Sequence, residues 1–464
     1  MKNNELLYEV ALSWSLPDSG INKLSEIHSW IKARSSKINV NISKIGLDES
    51  GFWFYDSDLG RIRNKNNSFF YIQGLREKYQ SNSGVHITET PIIVQEEIGY
   101  LGIICKKIDG VIHFLMQAKI EPGNVNKIQI SPTIQATKSN FTQKHGGNRP
   151  AYIDYFINLN KYEVIVDQIQ SEQSSRFYKK RNRNIVLYIN EDIEVLPSHK
   201  WMTLGQIKDL MKINNLVNMD TRTVLSCIPY YKLGIEFYSA LEKRFTDKGL
   251  FASIFNTRSP QLATIFNKIN DNKMFASQTA EFVRLDSLSS WHMKNNEFVC
   301  KEPHPYKIIF CDIAIEGREV KEWTQPLLES NGEAVFGMLV RSNDGKKEFL
   351  VKVKHEIGCF DEVELGPTVQ LEFVHNEVMD DVERLFIEKL YTKEGIIFDC
   401  ILSEEGGRFY HEQNRNVLIL LKDYETVDLT EDYMWLDYKT LNLLIQFNNV
   451  LNIQLRNLLA VLKA

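Results

Sequence analysis

An internal repeat runs through most of the 464-residue chain and limits the folds available to it. The segment GIICKKIDGVIHFLMQAKIEPG at 102–123 aligns with GMLVRSNDGKKEFLVKVKHEIG at 337–358, at an offset of 235 residues. SEQSSRFYKKRNRN at 171–184 aligns with SEEGGRFYHEQNRN at 403–416, and shorter blocks elsewhere keep the same order. Several ordered blocks with nearly constant spacing indicate a tandem duplication, so we expect two copies of one fold.

The pattern within each copy predicts strands followed by helices. An Asp-Gly turn separates two runs rich in β-branched and apolar residues, which is typical of a hairpin. Apolar residues recur at helical spacing after Trp201 and again after Trp435. We therefore expect an α+β fold, an α/β/α sandwich with a mixed sheet in each copy. The predicted units are an N-terminal leader at 1–44, a first repeat at 45–229, a helical connector at 230–280 and a second repeat at 281–464.

The composition excludes several classes of protein. With 43% hydrophobic and 25% charged residues, the chain is typical of globular proteins, and its net charge of −5 argues against a nucleic-acid binder. We find no apolar run of 18 residues and no signal peptide, so we expect no membrane contact and a cytoplasmic location. The six cysteines and ten histidines are scattered, and no glycine-rich nucleotide loop occurs. The residues thus predict neither a metal nor a redox cofactor.

Polar residues that both copies retain are candidates for a shared role. They could form buried ion pairs that stabilise the fold, or they could line a pocket for an anionic ligand, for which arginine offers a planar fork. We favour the pocket for the set as a whole. The retained pairs are Lys119/Lys354, Glu121/Glu356, Gln135/Gln370, Ser171/Ser403, Glu172/Glu404, Arg176/Arg408, Arg183/Arg415 and Arg222/Arg456. The glycine-containing segment after His145 also predicts a loop that could close over a substrate.

The same blocks resemble a known family, the nucleotide-hexose 2,3-dehydratases of deoxysugar pathways. The most specific segments are HFLMQAKIEPGNVNKIQISPTIQATKSNF at 113–141, REVKEWTQP at 318–326 and the two SE…RFY…NRN segments. The resemblance covers nearly the whole chain, from about residue 45 to 460. Copy one has SEQSSRF where the family usually has a glycine near Ser174, whereas copy two keeps Gly406 and Gly407. This departure removes no ionisable group.

The resemblance implies a fold and a reaction. Members of the family look like two tandem Nudix-like domains from a gene duplication, assembled as a homodimer. Their substrate is a dTDP-4-keto-6-deoxyhexose, from which they remove the hydroxyl group at sugar carbon 2. The 3,4-diketo product is then passed to a partner 3-ketoreductase. The family carries one sugar-nucleotide pocket in each repeat, of which one is catalytic. The expected activity is that of a hydro-lyase that needs neither a metal nor a redox cofactor.

This chemistry suggests roles for particular side chains. A base removes the proton on carbon 3, which the 4-keto group acidifies, and an acid protonates the departing hydroxyl. We take copy one as the active pocket, because its motifs are longer and more polar. The proposed acid/base residues are Glu121, Glu172, Tyr178 and His145. The proposed substrate-binding residues are Lys119, Gln135, Thr137, Ser139, Asn140, Ser171, Arg176, Arg183, Arg222 and Trp323. The second pocket would use Lys354, Glu356, Gln370, Glu404, Arg408, Arg415 and Arg456.

Two other functions compete with the dehydratase. A Nudix-type sugar-nucleotide hydrolase would need a carboxylate cluster for Mg²⁺, and we find none at the required spacing in the sequence. A non-catalytic sugar-nucleotide binding protein would fit two equal pockets. The unequal loops that follow SPTIQ in copy one and GPTVQ in copy two count against that second alternative.

Overall fold

The computed structural model of the protein describes residues 3–81, 84–137, 149–275, 278–316, 320–374, 379–423 and 425–464. Helices in this part of the chain lie mainly before, between and after groups of strands. They are α1 (Asn3–Trp14), α2 (Leu24–Lys37), α3 (Ile153–Ile157), α4 (Leu204–Leu210), α5 (Met219–Ser226), α6 (Tyr238–Glu242), α7 (Lys248–Ile254), α8 (Leu262–Phe275), α9 (Asp381–Thr392), α10 (Tyr438–Leu444) and α11 (Ile453–Ala460). No helix among the described residues is both long and apolar enough to cross a membrane.

The strands fall into two runs of similar length and spacing. Those of the first half are β1 (Val40–Ile45), β2 (Trp53–Asp56), β3 (Arg61–Asn64), β4 (Tyr71–Ser81), β5 (Gly84–Val94), β6 (Gly99–Ile108), β7 (Val111–Ile120), β8 (Ile128–Ser131), β9 (Ile134–Ala136), β10 (Glu163–Ser171), β11 (Arg181–Tyr188) and β12 (His199–Met202). Those of the second half are β13 (Gln278–Val283), β14 (Trp291–Lys294), β15 (Glu297–Cys300), β16 (Tyr306–Ile315), β17 (Glu322–Ser330), β18 (Ala334–Asn343), β19 (Lys346–His355), β20 (Val363–Pro367), β21 (Val369–Leu371), β22 (Ile396–Ser403), β23 (Phe409–Tyr410), β24 (Gln413–Leu420) and β25 (Tyr433–Asp437).

Two seven-stranded sheets have the same strand order. The first large sheet runs β10-β11-β6-β7-β12, with β8 paired to β7 and β9 paired to β6. The second large sheet runs β22-β24-β18-β19, with β20 and β25 paired to β19 and β21 paired to β18. In each sheet one pair is parallel, β11 with β6 and β24 with β18, while the other pairs are antiparallel. The fold is therefore mixed α+β, and the aligned blocks of sequence form equivalent strands.

Both faces of each large sheet are buried, because successive side chains of a strand point to opposite faces. In β6, Ile103 and Cys105 join a core with α1 and α5, whereas Ile104 packs on the other face with α3. In β18, Met338 joins that same shared core and Leu339 packs with α9 on the opposite face. One continuous apolar cluster thus includes residues of both large sheets, with α5 packed against α11.

The two smaller sheets exchange a strand between the halves of the chain. β13 pairs antiparallel with β4, beside β3, β2 and β5, although β13 belongs to the second half. Reciprocally, β1 pairs antiparallel with β16, beside β14, β15 and β17. The preceding helices are equivalent too, since α1 packs on β7 as α7 packs on β19. The predicted leader and the predicted connector thus contain equivalent elements of the two repeats. The strand that follows the helices in each of them pairs with the small sheet of the other repeat.

Candidate active site

A cavity of about 440 Å³ lies where the two repeats meet. The first large sheet supplies Lys119 and Glu121 at the end of β7 and Gln135 on β9. The second repeat supplies Glu405 and Arg408, from the turn between β22 and β23. Neither repeat forms this cavity alone, so its geometry depends on how the halves pack.

Aromatic side chains form one wall of the cavity. They are Phe52, Trp53, Phe69, Phe70, Phe177 and Trp323. The Trp53 Nε1 donates to the Thr324 carbonyl oxygen at 2.7 Å, which ties the first half to β17. The Trp323 Nε1 donates to the Gln325 Oε1 at 2.9 Å, and the Gln325 Nε2 donates to the Gly407 carbonyl oxygen at 2.7 Å. Fixed aromatic faces of this kind suit a planar ring as a ligand.

Three cationic side chains, Lys119, Lys180 and Arg408, also line the cavity. Lys119 Nζ lies 2.9 Å from the Glu121 Oε1. The Arg408 guanidinium carbon lies 4.2 Å from the centre of the Phe70 ring. Lys180 is buried and donates to the Glu97 carbonyl oxygen, and burial lowers its pKa to about 8. Lysines and an arginine in one cavity make it suitable for an anionic group such as a diphosphate.

Four carboxyl groups share the cavity with these cations: Glu121, Glu172, Asp220 and Glu405. Burial, with the nearby charge of Glu405, raises the pKa of Glu172 to about 7. Burial and the charges of Glu172 and Glu121 hold the pKa of Asp220 well above its usual range. Enclosure by the protein, with the charges of Glu121 and Asp220, does the same for Glu405. Carboxyl groups tuned in this way can exchange protons near neutral pH.

Side-chain amides donate hydrogen bonds to three of these carboxyl groups, Glu121, Glu405 and Glu172. The Asn218 Nδ2 donates to the Gln135 Oε1 at 3.3 Å. The Gln135 Nε2 then donates to the Glu121 Oε1 at 3.3 Å and to the Glu405 Oε1 at 3.2 Å. On the other side of the cavity, the Asn182 Nδ2 donates to the Glu172 Oε2 at 2.6 Å. Gln135 thus links a carboxyl group of each repeat, Glu121 and Glu405.

The turns that carry the retained arginines cross between the repeats. The Gly123 N–H of the first repeat donates to the Gly406 carbonyl oxygen at 2.7 Å, and the Gly358 N–H of the second donates to the Ser174 carbonyl oxygen at 3.0 Å. Arg408 therefore lies in the cavity of the first repeat, and Arg176 lies against the second. The sequence predicts Arg176 in the first pocket and Arg408 in the second, whereas Arg408 and not Arg176 lines this cavity, because the turns are exchanged between the repeats.

The equivalent region of the second repeat holds buried ion pairs. Arg176 Nη2 lies 2.9 Å from the Glu372 Oε2 and 3.6 Å from the Glu412 Oε1. At the corresponding offsets, the first repeat has Thr137 and Lys180 in place of these two carboxylates. Carboxylates that already hold the arginine would compete with an anionic ligand there. The two regions share a framework and differ in charge.

A model of the NDP-hexose 2,3-dehydratase family matches residues 24–228 and, separately, residues 262–462. These two matches begin at α2 and α8, which occupy equivalent places in the fold. The chain is 36% identical to dTDP-4-dehydro-6-deoxy-alpha-D-glucopyranose 2,3-dehydratase of Saccharopolyspora spinosa, over 96% of this chain and 92% of that protein. It is 35% identical to the protein of the same name from Streptomyces violaceoruber, over 96% of this chain and 98% of that one. It is 32% identical to the Amycolatopsis orientalis protein of that name, over 98% of this chain and 93% of that protein.

The chain belongs to the NDP-hexose 2,3-dehydratase family. The family resemblance expected from the SPTIQ, REVKEWTQP and RFY segments is therefore confirmed.

The cavity brings together part of the predicted site. The residues that line it as expected are Lys119, Glu121, Gln135, Thr137, Glu172 and Trp323. Trp323 reaches the first pocket because β17 of the second half lies beside the segment that contains Trp53. Ser139, Asn140 and His145 lie outside the described residues, so their predicted roles stay predictions.

Three other residues of the predicted sites, Arg183, Arg415 and Tyr178, do not line the cavity. Arg183 pairs with Asp167 across β10 and β11, and Arg415 pairs with Asp399 in the same way. Their exposed pairs lie on a strand surface outside the cavity. Tyr178 packs against Phe282, with ring centres 4.5 Å apart, and does not line the cavity either.

The retained arginines of the last helices join the two repeats. The Arg222 Nη2 donates to the Ser403 carbonyl oxygen at 2.7 Å, and the Arg456 Nη2 donates to the Ser171 carbonyl oxygen at 2.5 Å. Both arginines are almost fully buried. These reciprocal contacts fit the structural alternative for the retained arginines.

The predicted second pocket has the framework of the first. The Gln370 Nε2 donates to the Glu356 Oε1 at 2.8 Å, as Gln135 does to Glu121. The Asn414 Nδ2 donates to the Glu404 Oε1 at 2.5 Å, as Asn182 does to Glu172. Lys354 is on β19, one residue before His355 at its end.

Sequence reasoning missed three ionisable residues of the cavity: Lys180, Asp220 and Glu405. The search selected residues that are identical in both copies, and these three are replaced by Glu412, Gln454 and Gln173 in the other copy. A search for positions at which the copies differ in charge would have found them. In the described part of the chain, no three His, Cys, Asp or Glu side chains converge in a way that could hold a metal ion.

Proposed function

We propose that the protein is a dTDP-4-dehydro-6-deoxy-D-glucose 2,3-dehydratase that works in the cavity of the first repeat. The observation that carries this proposal is the match to dehydratases of that name along 96–98% of the chain, together with a cavity lined by cations and carboxyl groups. The reaction needs an anion-binding region, a site for a planar base and groups that move protons. The cavity supplies side chains for each.

The cations and the aromatic wall account for binding of the nucleotide. Lys119, Lys180 and Arg408 would neutralise the diphosphate, and Arg408 could offer two parallel N–H donors to phosphate oxygens. The thymine ring would lie against the aromatic side chains, with Trp323 the most accessible tryptophan of that wall. This arrangement leaves the sugar beside the four carboxyl groups.

The carboxyl groups account for the elimination. A carboxylate removes the proton from carbon 3, and the electrons move towards the carbon-4 carbonyl to form an enolate. N–H donors and cations near that oxygen stabilise the developing charge. The enolate then expels the carbon-2 hydroxyl, which leaves as water after a carboxylic acid protonates it. The resulting enol takes a proton at carbon 2 and becomes the 3,4-diketone. Oxidation at carbon 3 and reduction at carbon 2 balance within one molecule.

The repeated strand order supports a tandem duplication of one domain, and we propose that each copy is Nudix-like. By the same family resemblance, we propose that the chain forms a homodimer in the cytoplasm. A reactive 3,4-diketone is best consumed at once, so we propose a partner 3-ketoreductase that acts on it. Light scattering after size-exclusion chromatography tests the dimer, since a mass of 53.9 kDa would contradict it and twice that mass would support it.

An assay of the purified protein tests the proposed reaction. The substrate dTDP-4-keto-6-deoxyglucose is incubated with the protein, and a diamine traps any vicinal diketone for mass spectrometry. A trapped sugar nucleotide that has lost one water supports the dehydratase. Intact substrate, despite tight binding, would favour a sugar-nucleotide binding protein. Release of a nucleoside monophosphate only in the presence of Mg²⁺ would favour a hydrolase and overturn the proposal.

A further inference from the structure

The two repeats provide an internal comparison, because the aligned blocks give each charged residue of the cavity a counterpart in the other repeat. Glu121 and Glu172 have Glu356 and Glu404 as counterparts. In both repeats these glutamates accept the same hydrogen bonds from a glutamine and an asparagine. A group that is held identically in the cavity and in the ion-paired second region serves the shared framework.

Two carboxyl groups of the cavity are not shared. Glu405 corresponds to Gln173, and Asp220 corresponds to Gln454. In the equivalent region of the second repeat, where the turn that follows Gln173 packs, both counterparts are amides, which cannot take up or release a proton near neutral pH. At these two positions the ionisable groups are therefore confined to the cavity that Arg408 lines, to which both repeats contribute.

The surroundings of Asp220 and Glu405 differ in a way that suits opposite roles. The Glu405 Oε1 accepts hydrogen bonds from the Gly407 N–H at 2.9 Å and from Gln135, which stabilise its ionised form and oppose the rise in its pKa that burial causes. Asp220 is only 1% exposed, and its Oδ1 has no hydrogen-bond partner among the described residues. An unpartnered buried oxygen that borders the cavity is available to a ligand hydroxyl.

From these contacts we infer that Glu405 removes the proton from carbon 3 of the sugar and that Asp220 protonates the departing carbon-2 hydroxyl. This inference rests on the proposed function and goes beyond it by naming the two groups. The carbon 3–hydrogen bond breaks, its electron pair forms the enolate, and the proton goes to Glu405. The carbon 2–oxygen bond then breaks with its pair on oxygen, which leaves as water with the proton of Asp220. Glu121 and Glu172 are positioning residues.

Four proteins test the inference: wild type, Glu405→Gln, Asp220→Asn and Glu364→Gln. The last is a matched control, because Glu364 is buried in the second repeat and its counterpart in the first is already Gln129. Each is incubated in D₂O with dTDP-4-keto-6-deoxyglucose. Product is trapped with a diamine, and the carbon-3 proton of recovered substrate is followed by NMR.

We expect both cavity variants to lose roughly 10²–10⁴-fold in kcat, the usual contribution of a general acid or base, while Glu364→Gln stays close to wild type. Asp220→Asn should still exchange the carbon-3 hydrogen for deuterium, because the base remains, whereas Glu405→Gln should not. Turnover near the wild-type rate in either cavity variant would overturn the inference. The reverse exchange pattern would overturn the assignment of roles.

Two further variants separate proton transfer from folding. Glu405→Asp and Asp220→Glu keep an ionisable group but move it by one methylene, so each should be more active than the corresponding amide variant. Equal losses in the acid and amide variants would indicate a structural role and overturn the inference. Calorimetric binding of dTDP identifies variants with an intact cavity. A wild-type protein that binds dTDP but never dehydrates the substrate would instead refute the proposed function itself.

Discussion

Arg176 and Arg408, the arginines of the repeated RFY segment, should have different functions: the first should stabilise the fold and the second should bind the nucleotide. Replacing each by methionine tests this directly. Arg176 is 3% exposed and lies 2.9 Å from a carboxylate oxygen of Glu372 and 3.6 Å from one of Glu412. Removing one partner of a buried ion pair typically costs about 3–5 kcal/mol of unfolding free energy. Burial raises the pKa of Glu412 to about 8 even with Arg176 beside it, so Glu412 can stay protonated and uncharged when the arginine is lost, and we expect a cost near the lower limit.

The expected cost converts into a small but measurable thermal shift. An unfolding entropy of about 2.1 cal/mol/K per residue gives roughly 1 kcal/mol/K for a chain of this length, so about 3 kcal/mol corresponds to a fall in Tm of about 3 °C. Differential scanning calorimetry of Arg176→Met measures it. Well below the Tm, this variant should keep its affinity for dTDP and its kcat, because Arg176 is not part of the cavity.

Arg408→Met is the matched variant and should show the opposite pattern. A hydrogen bond to a charged group is worth about 1.5–3 kcal/mol, so the Kd for dTDP should rise roughly 10–100-fold, with a smaller fall in Tm than in Arg176→Met. Calorimetric titration with dTDP measures the change. Weaker nucleotide binding in Arg176→Met than in Arg408→Met would refute the exchange of turns and the location of the active cavity.

Three other changes have definite expected outcomes. A Cβ at Gly123 would lie 1.6 Å from the Phe409 carbonyl oxygen, so Gly123→Ala should lose at least about 1–3 kcal/mol of unfolding free energy, measured by urea denaturation. Gly20 has open space around it, so the control Gly20→Ala should not lose stability. Trp323→Ala should weaken dTDP binding roughly 10-fold by calorimetry, since stacking on one base is worth about 1–3 kcal/mol. The raised pKa of Glu172, about 7, means that its stabilising protonated form is lost as the pH rises through 7. The stability of Glu172→Gln relative to wild type should therefore improve by roughly 3 kcal/mol between pH 5 and 8.5.

A specific result would contradict each of these three predictions. Equal urea midpoints for Gly123→Ala and Gly20→Ala would show that the turn does not press against Gly123. An unchanged Kd in Trp323→Ala would place the base elsewhere. A stability difference between Glu172→Gln and wild type that does not vary with pH would mean that Glu172 titrates normally.

Local sequence patterns predicted the central strands of the two large sheets and the helices that follow them. The Asp-Gly turns at 109–110 and 344–345 do separate paired strands, and helices do follow Trp201 and Trp435. These features depend on neighbours in sequence, where alternation and turn residues carry the signal.

The exchange of elements between repeats could not be predicted from such patterns. β1 and β13 look like ordinary strands beside their own repeats, yet each pairs with the other repeat's small sheet. A small sheet can pair with the strand of its own repeat or with the equivalent strand of the other repeat. Both pairings use strands of similar composition and periodicity, so these patterns do not distinguish them. The same ambiguity applies to Arg176 and Arg408. The sequence does not show which cavity each arginine lines, because a turn and its copy have nearly the same sequence.

The candidate site was predicted in part, for a related reason. Residues retained in both copies, such as Glu121 and Gln135, were found, but retention also marks structural groups such as Arg222. Asp220 and Glu405 were missed because the two copies differ there. When one of the two pockets of a duplicated protein is catalytic, the positions at which the copies differ indicate residues that take part in catalysis.

A crystal structure of the protein with dTDP tests most directly the claim that the first-repeat cavity is the active site. The account predicts the diphosphate beside Lys119, Lys180 and Arg408, with the thymine ring against the aromatic wall that includes Trp323. A first-repeat cavity that stays empty at saturating dTDP, with the nucleotide bound elsewhere on the chain, would contradict it.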